Sequence, residues 1–110
     1  MKNLLEKKYI EFGRLDFPSP PDDDDLDDVY SELIELDGYY AGIANAAISG
    51  KKSEYDQGVS IFSLQDSLNS SRVLSNDKTS IFKLRTYVKE LCELVRLTNL
   101  FYSEKSSKVS

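Results

Sequence analysis

Two pairs of carboxylates stand at a spacing that chemistry can use. Glu32 and Glu35 lie three residues apart, as do Glu90 and Glu93. Residues three apart share a helix face, so each pair could clamp magnesium between oxygen ligands. The chain has no histidine. Ser-His-Asp and Cys-His catalysis, the common zinc sites and the usual proton carrier near neutral pH are therefore all missing. Cys92, the single cysteine, falls on an apolar face and reads as a small hydrophobe. E-x-x-E is also common on plain helix surfaces, and Lys89 and Arg96 beside the second pair suit salt bridges within the helix. The sequence thus nominates no catalytic residue, no metal ligands and no cofactor. It reads as a binding protein rather than an enzyme.

The stronger signal is a separation of charge. The 110 residues carry a formal net charge of -5, but residues 16–37 hold ten acids and no base. Residues 76–110 hold seven bases against four acids. Aspartates 22, 23, 24 and 25 stand in one run at the expected start of a helix, where carboxylates accept from free N–H groups and favour the positive dipole end. Capping needs one such residue, not four. Stepping about 100° per residue, Asp25, Asp28, Glu32, Glu35 and Tyr39 share a face roughly 120° from the stripe of Val29, Leu33, Leu36 and Tyr40. The acids are thus expected in solvent while the helix is anchored from its other side. The candidate partner-binding residues are Asp22, Asp23, Asp24, Asp25, Asp28, Glu32, Glu35 and Tyr39, with Tyr39 as a large rigid anchor. A solvated face that binds nothing is the plain alternative.

The elements that must position these residues follow from apolar periodicity. Residues 1–15 read as a short helix through Leu4, Leu5, Lys8, Tyr9 and Phe12, ending near Gly13. Prolines 18, 20 and 21 make residues 16–21 a stiff linker. A second helix is expected from within Asp22–Asp25 to Gly50, with Leu26, Val29, Tyr30, Leu33, Leu36, Tyr40, Ile43 and Ala47 on its buried face. Gly38, Gly42 and Ala46 form a small-residue row expected to admit a neighbouring helix closely. A third helix is expected from Ser53 as cap, with Asp56 completing a near capping box. Tyr55, Val59, Ile61, Phe62, Leu64 and Leu68 are its apolar side, and Ser60, Ser63, Ser67, Ser70 and Ser71 its polar face. A fourth helix follows Ser75-Asn76-Asp77 and runs through Ile81, Leu84, Val88, Leu91, Cys92 and Val95 toward Phe101, leaving residues 103–110 as a frayed polar tail. These elements predict one all-α domain: an up-down antiparallel bundle of three long helices, with residues 22–102 as its core, plus a short N-terminal helix.

Composition narrows the class further. No stretch approaches the roughly 18 apolar residues of a membrane span, and the charged N-terminus lacks a signal-peptide core. With no possible internal disulfide, a cytoplasmic location is expected. Direct nucleic-acid binding is disfavoured, because phosphate contact needs a basic patch and the dominant patch is acidic.

The acidic start Pro21–Asp28 and the helix segment Leu33-Ile34-Glu35-Leu36-Asp37-Gly38-Tyr39-Tyr40 resemble, in type, the small acidic helical immunity proteins of bacterial toxin systems. These include the systems of contact-dependent growth inhibition and of nuclease bacteriocins. The resemblance covers about a third of the chain and transfers no residue role position by position. It implies inhibition of one cognate basic protein toxin, often a nuclease. An acidic nucleic-acid mimic or antitoxin-like regulator is the competing class. The E-x-x-E pairs also resemble those of MazG-type nucleoside triphosphate pyrophosphohydrolases, whose second pair is E-x-x-D and follows the first more closely than here.

Overall fold

A computed structural model describes residues 2–20, 27–51, 58–70 and 78–109. These form four helices: α1 (Lys2–Gly13), α2 (Asp27–Ser49), α3 (Val59–Ser70) and α4 (Lys78–Val109). No strand occurs among the described residues. The expected start of α2 within Asp22–Asp25 lies outside them, as do Pro21, Leu26, Ser53, Tyr55, Asp56, Ser71 and the turn at residues 75–77.

α4 is the central element. It packs against each of the other three helices, and α2 also touches α1 and α3. Its buried residues explain this role. Leu84, Tyr87, Val88, Leu91, Cys92, Leu94, Val95, Thr98 and Phe101 spread over about half the helix circumference, wider than the ≳ 100° stripe of a surface helix. Leu84, Val88 and Leu91 are fully buried, as expected, but the sequence reading missed Tyr87, Leu94 and Thr98 as core residues. Thr98 needs no outside partner, because its hydroxyl donates to Leu94 O at 2.8 Å in its own helix. α4 is longer than expected and reaches Val109, so residues 103–109 continue the helix rather than forming a tail beyond it. Neither glycine nor proline stands there to stop it.

Three contacts set the course of α3 along α4. Gly58 lies against Val95, the Cys92 thiol points to Ile61 O at 3.8 Å, and Arg85 donates twice to Leu68 O at 2.8 and 3.0 Å. As one number rises the other falls, so the two helices run in opposite directions. Arg85 also places its positive charge on the carbonyl end of α3, where the helix dipole favours it. α1 behaves likewise: Lys8 pairs with Glu90 at 2.5 Å, and Phe12 packs on Tyr87 with ring centroids 5.1 Å apart. Leu5 and Phe12 are its buried residues, whereas Leu4, expected on the apolar side, is exposed, one 100° step off the buried face.

Helix ends obey local backbone chemistry. Gly50 at φ 73 ends α2; Lys51 N–H donates to Ala46 O and Gly50 N–H to Ala47 O, the paired bonds of a Schellman cap. Gly58 at φ 91 stands before α3 and accepts from Phe62 N–H at 3.0 Å. The helix carrying Ile61, Leu64 and Leu68 therefore starts at Val59, directly after this glycine, while the expected cap at Ser53 lies outside the described residues. Val59 itself is exposed rather than on the apolar side.

The small-residue row does not do what its spacing suggested. Atoms placed as a side chain at Gly38 or Gly42 would meet nothing within 4 Å, so no helix approaches there among the described residues. Gly58 is the opposite case: an added Cβ would lie 2.5 Å from Val95 Cγ1 and 3.0 Å from Phe62 Cε2. Gly58→Ala should therefore lower the unfolding free energy by about 2–4 kcal/mol, from backbone strain plus overpacking. Gly42→Ala should raise it by up to about 1 kcal/mol, as helix propensity dictates. Urea denaturation of the two variants side by side checks the contrast, and a neutral Gly58→Ala would show that the entry to α3 is looser than described.

Cys92 is fully buried, and burial pushes its thiol up from 9.0 to about 11. Only the unfolded chain then releases the proton as pH rises from 9. The contribution is complete below pH 9 and is lost on the way to 11, with a slope of up to about 1.4 kcal/mol per pH unit. Denaturation midpoints of wild type and Cys92→Ala across this window should converge as pH rises. Parallel curves would place the thiol in water.

Candidate functional site

α2 carries the candidate site because its two sides differ. Leu33, Tyr40, Ile43, Ala44 and Ala47 are buried toward the other helices. Asp28, Glu32 and Glu35 are exposed, and Tyr39 is 42% exposed. The structure thus brings Asp28, Glu32, Glu35 and Tyr39 together on one open face, as the helical period required. Asp22, Asp23, Asp24 and Asp25 lie outside the described residues.

Tyr39 is held from below. Its ring meets the buried ring of Tyr40 edge-on, with centroids 5.1 Å apart. That contact restricts a side chain that otherwise has two free torsions, which lowers the entropy lost on contact with a partner. Around it the surface is bare: Gly38 and Gly42 are exposed, and Ile34 is 51% exposed beside Glu35. Gly38 and Gly42 therefore belong to the open face, while Ala46, the third of the row, is partly buried.

One acid of the tract is used inside the fold. Asp37 accepts a 2.6 Å hydrogen bond from the Tyr87 hydroxyl of α4. Burial, this bond and the charge of Asp37 all raise the Tyr87 pKa above its ordinary value, so the phenol stays a donor. Sequence reasoning counted Asp37 among the acids and gave Tyr87 no role. An inward acid next to an outward row is visible in the spacing, but its partner 50 residues away is not.

Before α2, the linker is fixed rather than loose. Phe17 sits against Tyr87 and Tyr30 with centroid distances of 5.0 and 5.7 Å. Pro18 is buried, and its carbonyl accepts from the Tyr30 hydroxyl at 2.8 Å.

The two E-x-x-E pairs do different things. Glu32 and Glu35 face solvent. Glu90 is paired with Lys8 of α1, and Glu93 with Arg96 of its own helix, which also lies over the Phe62 ring at 5.1 Å. Among the described residues, no three cysteines or carboxylates converge in a way that could hold a metal ion. Ser60, Ser63 and Ser67 of α3 are exposed, and the Ser70 side chain lies outside the description. Comparison with protein families, with curated proteins and with solved structures finds no match to this chain.

Proposed function

We propose that this chain is an immunity protein, which binds a cognate basic protein toxin on the acidic face of α2 and so neutralises it. The observation that carries this reading is the exposure of Asp28, Glu32, Glu35 and Tyr39 on one side of a helix whose other side is buried in the core. A toxin that cleaves nucleic acid holds a polyanion, so its cleft is basic. A rigid acidic face covers such a cleft without reorganising. Opposite fields also speed encounter, by roughly ten- to a thousand-fold at low salt.

The same reading takes the fold to be an up-down antiparallel bundle in which α2 and α4 are the long members and α3, as described, spans 12 residues, as α1 does. The opposite courses of α1 and α3 along α4 support it. It also places the protein in the cytoplasm, where a cell would meet its own toxin. Among the described residues, no helix is long and apolar enough to cross a membrane.

Two kinds of contact should separate in binding measurements with the toxin purified from the same genetic neighbourhood. Neutralising Asp22 to Asp25 should slow association and flatten its salt dependence while leaving dissociation nearly unchanged, because rim charges stay solvated. Glu32→Ala, Glu35→Ala and Tyr39→Ala should instead speed dissociation, by on the order of 2 kcal/mol for a true anchor. Helicity and melting temperature should scarcely move in any of them. Wild-type affinity in all three central variants would shift the interface elsewhere, with the serine face of α3 next in line.

A further inference from the structure

A second surface shares no residue with the acidic face. An open cleft of about 430 Å³ separates the linker from the first turns of α4, with Leu15, Asp16, Phe17, Pro18 and Ser19 on one wall and Phe82, Lys83, Thr86 and Tyr87 on the other. Its volume falls in the range of ligand-sized sites. Phe82 is 69% exposed, more than any other large apolar side chain among the described residues, and Leu15 and Phe17 are exposed beside it. Large apolar side chains gathered in one exposed place mark contact surfaces more often than singly scattered ones do.

The chemistry of the cleft limits what fits. Its deeper polar groups are already satisfied: the Tyr87 hydroxyl donates to Asp37, and the Pro18 carbonyl accepts from Tyr30. The floor therefore asks for an apolar group, since a polar one would lose its water without gaining a partner. The rims ask for charge. Asp16 stands on the linker lip and Lys83 on the α4 lip, and neither has an ion-pair partner among the described residues. The lips also belong to opposite ends of the charge separation, the linker opening the acidic tract of residues 16–37 and α4 lying in the basic stretch 76–110. The field across the cleft thus has a direction.

We infer that this cleft docks a protein segment carrying a large apolar side chain between a basic and an acidic residue, the base over Asp16 and the acid over Lys83. A uniformly basic segment meets Lys83 as a like charge, and a uniformly acidic one meets Asp16. This surface is distinct from the acidic face of α2, and its test uses no toxin, so the two readings stand or fall separately.

The probe is a blocked tripeptide, acetyl-Lys-Phe-Glu-amide, titrated into the isotope-labelled full chain and followed by amide chemical shifts. Acetyl-Lys-Phe-Lys-amide and acetyl-Glu-Phe-Glu-amide are its comparisons. Shifts should concentrate in residues 15–19 and 82–87, and the dipolar peptide should bind about three-fold more tightly than either other, the effect of one exposed charge contact. Lys83→Glu should reverse the ranking in favour of the doubly basic peptide, and Asp16→Lys in favour of the doubly acidic one. Phe82→Ala should weaken all three. These side chains are exposed, so circular dichroism should report unchanged helicity. Shifts scattered over other surfaces, no saturable shift into the millimolar range, or a wild-type ranking blind to peptide charge would overturn the assignment.

Discussion

The buried Tyr87 side chain is the point on which the arrangement turns. Its ring takes Phe12 of α1 on one side and Phe17 of the linker on another, at 5.1 and 5.0 Å. Its hydroxyl binds Asp37 of α2 at 2.6 Å. One side chain on the central helix thereby joins three other parts of the chain. A buried phenol without a partner would cost roughly 1–3 kcal/mol, and Asp37 removes that cost while fixing the rotation of α2 about its axis. With Asp37 turned inward, Glu32, Glu35 and Tyr39 must turn outward, because helical geometry leaves them no other direction.

Function in this account follows from rotation rather than from any single reactive group. The core anchors α2 through Leu33, Tyr40, Ile43, Ala44 and Ala47, so its charged side is presented on a packed helix and not on a loop. Like charges on one face repel one another, a cost that packing on the opposite face must outweigh. The bare backbone at Gly38 and Gly42 adds a place where a partner can approach closely, next to the exposed Tyr39. The cleft beside Phe82 depends on the same hub, since Phe17 and Tyr87 both line it.

Much of this was legible in the sequence. Helix identity and the outward direction of Asp28, Glu32, Glu35 and Tyr39 follow from a period of 3.6 residues, which needs no tertiary information. The stop at Gly50 was readable because a glycine cap is a local device. What could not be read was long-range. Tyr87 looks like any half-polar helix residue until Asp37, Phe12 and Phe17 are beside it. The Gly38, Gly42 and Ala46 row has the spacing of a helix contact, but spacing cannot say whether a second helix comes near. The positive φ of Gly58 at the entry to α3 is a conformation that only the folded chain reveals. The same holds for Glu90, an apparent member of a carboxylate pair whose oxygen turns to Lys8, 82 residues away.

Hydrogen exchange on a complex with the cognate toxin proposed above addresses the central claim most directly. Amides need not form the contact to report it, so no substitution is required. The account predicts slowed exchange in residues 27–42 of α2 on binding, with the serine face of α3 unchanged. Protection confined to α3 or to the far end of α4, with α2 exchanging as in the free chain, would contradict it.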